Sequence, residues 1–249
     1  VICSMKLGIF GDSYADCHTY ETGWPNLLAK EISKQDDFKN YGVSGTSHWF
    51  SYQNFLENFH NYDTIVFCHT NSMRWPVTPP GEHRKAFNVG YFSCPIMDPF
   101  NKVRKDIMSE ELLNYLSFNI FRDINRLCLE HNIYLVNILC FPLDFILPPT
   151  KFPVLIDLSE ISRKEQVIYE GKLKFTVELN SLLRGDRRDC HLNTLNNKKL
   201  ADIVTDLIKN KTYNIYKDLL QEYNWDYRDP AMDKIYEMES EYEKNLNNG

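Results

Sequence analysis

Short apolar runs alternate with stretches of helical spacing along the first two hundred residues or so. Lys6 to Phe10 is mostly apolar and ends in Gly11-Asp12-Ser13, the pattern of a buried strand feeding a turn. Trp24, Leu27, Leu28 and Ile32 recur at helical spacing within 22–33, and 38–41 is a short strand candidate ending at Gly42-Val43-Ser44-Gly45. Helical spacing returns over 49–59, and Asp63 to Cys68 reads as the clearest buried strand of the chain. A long helix is predicted over 109–131, with Leu112, Leu116, Ile120, Ile124 and Leu127 on one face. Strands over 133–139 and 153–158 and a helix over 193–209, with Leu200, Ile203, Val204 and Leu207 inward, complete the pattern.

Strand and helix in alternation predict an α/β domain of three layers, a parallel sheet of about five strands with helices on both faces. Such sheets carry their sites beyond the carboxyl ends of the strands, so the residues that follow each strand come under scrutiny. Periodicity vanishes over 73–106, where Pro76, Pro79, Pro80, Gly81, Gly90, Pro95 and Pro99 punctuate the chain. A loop of this length in a compact domain is usually functional or mobile. It reads either as a substrate lid, with Trp75 and Tyr91 as stacking groups, or as a packed excursion covering the sheet edge. From Lys211 the composition shifts to Tyr, Glu, Asp and Lys, predicting two helical pieces separated at Asp229-Pro230. The expected organisation is therefore a domain over 5–210, with the 73–106 loop inserted, and an acidic helical extension over 211–249. The extension is a candidate surface for homo-oligomer formation, and otherwise a solvated helix pair packed on its own domain.

Composition changes this picture modestly. Apolar residues make up 43% of the 249, enough for a sizeable core. The net charge of −6 argues against a nucleic-acid partner, which would require a basic stripe to displace counterions. Seven cysteines without a CxxC pair suggest free thiols in a reducing compartment. The longest apolar stretch, near 134–146, is broken by Asn137, Pro142 and Asp144, so no membrane span is expected. With no hydrophobic leader in view, the expectation is a cytoplasmic protein, or one of virion or host cytoplasm if the source is viral.

Four polar clusters fall at element edges: Gly11-Asp12-Ser13 after the first strand, 40–45 after the second, His69-Thr70-Asn71-Ser72 after the third, and Asp189-Cys190-His191-Leu192-Asn193 before the last helix. Each alone is a common turn or cap. Together, in this order, they resemble the four blocks of the SGNH (GDSL-like) hydrolases, which contribute Ser, Gly, Asn and His in the same succession. The resemblance spans roughly 6–209 and is coarse outside the blocks. The last block, Arg188 to Asn197, is similar to that of bacterial and viral members. The resemblance implies a flavodoxin-like sheet and a serine esterase acting on small acyl esters, O-acetyl groups on carbohydrate first among them. Ser13 would be the nucleophile and His191 its base. The oxyanion donors would be the backbone N–H groups of Ser13 and Gly45 and the side-chain amide of Asn71.

The residue types suit that chemistry. A serine hydroxyl needs an adjacent base, and an imidazole can take its proton and return it to the leaving group. Donors aimed at the developing oxyanion are worth roughly 3–4 kcal/mol each. Asp12, Tyr14, His69 and Trp75 are candidate substrate contacts. Where the family carries Asp three residues before the His, this chain has Arg188. Asp189 is the favoured carboxylate and Asp186 the alternative, and a Ser–His dyad remains open. Three Cys-His pairs (17–18, 68–69, 190–191) lack zinc-ligand spacing, so no metal and no organic cofactor is expected. Two other readings stand beside the esterase: an O-acyltransferase using the same residues, and a non-catalytic carbohydrate-binding or structural domain.

Overall fold

The structure is a computed structural model that describes residues 5–16, 23–32, 35–72, 74, 109–141, 146–156, 158–162, 191–213, 223–226 and 244. Five strands form one parallel sheet: β1 (Leu7–Phe10), β2 (Phe38–Asn40), β3 (Thr64–His69), β4 (Tyr134–Leu139) and β5 (Val154–Ile156). Their spatial order is β2-β1-β3-β4-β5, the flavodoxin-like arrangement. Registers run Leu7 beside Phe38 and Thr64, Thr64 beside Tyr134, and Asn137 beside Val154. β1, β3 and β4 are buried along their whole length, which explains why they read as continuous apolar runs.

The helices around them include α1 (Trp24–Ile32), α2 (His48–Asn58), α3 (Glu110–Glu130) and α4 (Thr194–Asn210), and residues 158–162 are helical as well. α1 packs against α4, and α2 against α3. The chain steps one way from β1 to β2 and the other way, past β1, from β2 to β3. Right-handed crossovers then put α1 and α2 on opposite faces. Side-chain alternation sorts the strands accordingly. Phe10, Phe67 and Phe55 meet on the α2 side, with ring centroids 5.7–6.3 Å apart. Tyr134 points to the other face, where its hydroxyl donates to the Leu207 carbonyl of α4 at 2.7 Å.

The helix starts are capped as the sequence permits. Ser47, Ser109 and Asn193 accept hydrogen bonds from the third residue after each, at Phe50, Leu112 and Asn196. The long helix departs from expectation in its rotation. Its buried face is Leu113, Ser117, Ile120, Phe121, Ile124, Asn125 and Cys128, while Leu112 is 40% exposed. The leucine count misleads here because Asn125 and Ser117 are buried polar residues, and Asn125 is hydrogen-bonded to Asn137 of β4.

The tail also contributes to the domain. Trp225 belongs to the central core, and Asp226 is bonded to α4 through its backbone carbonyl, accepting from Asn193 and Asn196, and through its own N–H to Asn196 Oδ1. Trp225 thus packs into the same core as the sheet. The rest of the 211–249 extension, beyond 213 and apart from 223–226 and Lys244, lies outside the described residues, as does most of the 73–106 loop. No described helix is long and apolar enough to cross a membrane. Cys68, Cys128 and Cys140 are free and buried, and burial pushes the Cys128 thiol well above its ordinary pKa.

Candidate active site

The order reversal lies between β1 and β3, and three of the four polar clusters gather at the carboxyl ends of β1, β2 and β3. After β1 the chain makes a tight turn in which the N–H groups of Ala15 and Asp16 both donate to the Asp12 carbonyl at 3.0 Å. The Asp12 side chain holds this turn from within. Its Oδ1 accepts the Tyr14 N–H at 3.0 Å, and its Oδ2 accepts from the Thr70 hydroxyl and from Arg74, both at 2.5 Å. Asp12 has no exposed surface. Both of its oxygens are engaged by the protein, so its side chain braces the turn that carries Ser13.

A Cβ on Gly11 would lie 2.5 Å from Cys68 Cβ, so only glycine lets the turn pass this close to β3. Ser13 follows in the same turn and is largely buried, 8% exposed.

Tyr14 links the turn to the last cluster. Its ring stacks on His191 with centroids 4.9 Å apart and planes at 23°, and its hydroxyl is 3.0 Å from Ser162 Oγ. The Tyr14 carbonyl accepts the Trp24 indole N–H at 2.7 Å, which fastens the turn to α1. His191, partly buried, stands two residues before Asn193, the N-cap of α4. It thereby lies against the residue that follows Ser13.

Gly45, after β2, has φ +77 with open space where a Cβ would stand. That conformation favours glycine and leaves the backbone N–H unshielded by a side chain. Gly45→Ala is expected to cost about 1–2 kcal/mol through backbone strain alone. Chemical denaturation checks this, and an unchanged midpoint would show that the turn relaxes freely. Asn71, partly buried, follows β3, and its carbonyl accepts the Arg74 N–H at 3.2 Å. Asp189, Asp186, Arg188 and Trp75 lie outside the described residues.

His69 is placed differently from the expected substrate contact. It is fully buried, facing α2 and α3, with Nδ1 2.9 Å from His48 Nε2 and Nε2 3.0 Å from Asn137 Oδ1. Sequence reasoning missed His48 and Arg74 as parts of this arrangement. No local pattern marks either residue, because their partners come from other elements.

Burial pushes the His69 pKa down to about 4, with the bond to Asn137 opposing, and burial followed by the neighbouring His69 lowers His48 well below its ordinary value. Both rings are therefore neutral in the fold, and the unfolded chain binds more protons below pH ~6.5. Stability is present above that pH and is lost as pH falls towards 4, by about 1.4 kcal/mol per unit for His69 alone. The expected result is a thermal midpoint that drops between pH 6.5 and 4.5, with a shallower slope in His69→Gln. A midpoint flat across that range would contradict buried neutral rings.

No family model matches the chain, and no curated protein matches it. Solved structures that align with it include an acetyl xylan esterase, with 13% identity, a TM-score of 0.43, and coverage of 82% of this chain and 100% of that one. A Bacillus subtilis protein, YXIM, aligns at 15% identity and TM-score 0.40, covering 84% of this chain and 58% of its own. A Bacteroides fragilis protein named as an acylhydrolase aligns at 11% and 0.39, covering 83% and 88%. At such identities the likeness reaches no individual side chain.

Proposed function

We propose that this protein is a carboxylic ester hydrolase in which Ser13 is the nucleophile and His191 its base. The observation that carries the reading is the Tyr14–His191 stack, which sets the imidazole beside the Ser13 turn at the order reversal of the sheet. Gly45 and Asn71, at the ends of the two neighbouring strands, are the partners that an oxyanion requires.

In the proposed reaction, Ser13 Oγ attacks the ester carbonyl carbon while His191 takes the hydroxyl proton. The carbonyl oxygen becomes an oxyanion held by the N–H groups of Ser13 and Gly45 and by the Asn71 amide. Collapse breaks the bond to the alcohol oxygen, which leaves with the proton from His191. Water then repeats the sequence on the acyl-serine, releasing a carboxylic acid and restoring Ser13. Asp189 is the proposed carboxylate behind His191, holding the tautomer and steadying its charge. Short acyl esters, acetyl included, are the proposed substrates, with carbohydrate as a candidate alcohol.

A fluorophosphonate probe and p-nitrophenyl acetate test the reading directly. Labelling that maps to Ser13, disappears in Ser13→Ala and accompanies ester turnover is the expected outcome. A wild-type protein inert to both reagents would overturn it and leave a binding module. Acyl transfer to added glycans in excess of hydrolysis would convert it to a transferase.

A further inference from the structure

Gly45 stands in a turn formed by residues 43–46. The Val43 carbonyl accepts the Thr46 N–H at 3.4 Å and the Thr46 hydroxyl at 2.7 Å. The φ of +77 at Gly45, the third residue, is that of a type II turn. Type I and type II turns differ by a rotation of the central peptide, and glycine in third place tolerates both. Here that peptide joins Ser44 to Gly45 and carries the Gly45 N–H. The bond across the turn is common to both types and does not decide between them. A flip of the central peptide would swing the N–H away from an oxygen bound to it.

A contact from outside the turn restrains that peptide. Ser44 donates its N–H, at 3.2 Å, and its hydroxyl, at 2.5 Å, to a single oxygen, Asp16 Oδ2. Asp16 belongs to the turn that carries Ser13, since its own N–H donates to the Asp12 carbonyl at 3.0 Å. Two more bonds hold the segments side by side: the Asn40 side-chain amide donates to the Ala15 carbonyl at 2.7 Å, and the Val43 N–H to the Gly11 carbonyl at 3.3 Å. On its far side the segment enters α2 at His48, whose ring is held 2.9 Å from that of His69 in β3. Gly45 therefore lies between a buried anchor and the Ser44–Asp16 clamp. Ser44 is exposed and Asp16 partly buried. Bonds open to water add little to stability, so the clamp can be cut without unfolding the chain.

We propose that Ser44 and Asp16 are positioning residues, whose clamp holds the Gly45 N–H in one orientation beside the Ser13 N–H so that both donors meet the same oxyanion. This rests on the hydrolase reading and concerns how its oxyanion donors are kept aligned. Such a clamp acts when negative charge develops on the carbonyl oxygen, so it governs the chemical steps rather than substrate binding.

Kinetics on p-nitrophenyl acetate, inhibition by butylboronic acid and thermal midpoints test the proposal on the full chain. The boronic acid adds reversibly to a nucleophilic serine, and one oxygen of its tetrahedral adduct takes the place of the oxyanion. Asp16→Ala, which removes both bonds, is expected to lower kcat about ten- to hundredfold, less than the loss of a donor outright. KM should stay within about twofold, because uniform binding is untouched. The inhibition constant of the boronic acid should rise in step with the loss in kcat, with the midpoint nearly unchanged. Ser44→Ala should show a smaller loss of the same kind, and adding it to Asp16→Ala should change nothing further, the clamp being already gone. Ser44→Thr keeps both donors and should retain the wild-type kcat. Wild-type kcat in either alanine variant, losses that multiply in the double variant, or a loss in Ser44→Thr equal to that in Ser44→Ala would overturn the proposal. A fall in kcat matched by a fall in midpoint would also overturn it, as the mark of a merely structural contact. An active wild type with indifferent variants sinks this proposal alone, whereas a wild type inert to esters and to fluorophosphonate removes the hydrolase reading and the proposal with it.

Discussion

Ser13→Ala is expected to lower ester turnover by about 10⁴-fold or more, and His191→Ala by a similar factor, with the double variant scarcely worse than either. The shared loss follows from the proposed chemistry. A hydroxyl without its base is a weak nucleophile, and a base without the hydroxyl has nothing to activate. Any residual rate comes from the oxyanion donors, which survive in both variants. Alanine differs from Ser13 by a single oxygen atom, so the fold of this variant should be retained. Turnover of p-nitrophenyl acetate, with thermal midpoints measured in parallel, distinguishes lost chemistry from lost structure. Single variants whose losses multiply in the double variant would mean that the two residues act independently, contrary to a nucleophile–base pair.

Removing the carboxylate of Asp12 should be the most damaging single change to stability. Asp12 is wholly buried, Arg74 is 16% exposed, and the two meet at 2.5 Å. Breaking such a pair from one side leaves a poorly solvated charge, a cost of about 3–5 kcal/mol. The same substitution strips the acceptor from the Thr70 hydroxyl and from the Tyr14 N–H. For a chain of this size the midpoint should fall by about 6–20 °C. The double variant Asp12→Asn/Arg74→Met should recover part of the loss, since no unpaired charge then remains, and the two sites should couple by about 1 kcal/mol or more. Denaturant titration of the two single variants and the double variant measures that coupling. A loss below about 1 kcal/mol in Asp12→Ala would show that Arg74 finds solvent without difficulty.

The strands and helices were legible because their signals are local. β3 and β4 show as unbroken apolar runs since both faces of a parallel sheet are covered. The pattern was less informative for α3, whose inward face includes Asn125 and Ser117. Buried polar residues look like surface residues until their partners are known. Four polar clusters at strand and helix edges directed attention to Ser13, Gly45, Asn71 and His191, and the fold brings the first three to adjacent strand ends. The roles of Asp12 and His69 were not legible. One oxygen of Asp12 meets Thr70 and Arg74, some sixty residues away, and His69 is enclosed by His48 and Asn137.

By itself, the order of apolar and polar residues determined that this chain forms alternating strands and helices and where its polar clusters fall relative to them. Periodicity and turn chemistry act over a few residues, so they can be read without coordinates. Only the tertiary structure decided that Tyr14 stacks on His191, that Arg74 neutralises Asp12, and that two histidines and two asparagines form one buried hydrogen-bonded chain. Those contacts join residues up to 177 positions apart. They depend on distances and on which face of the sheet each side chain meets, and no local pattern carries that information.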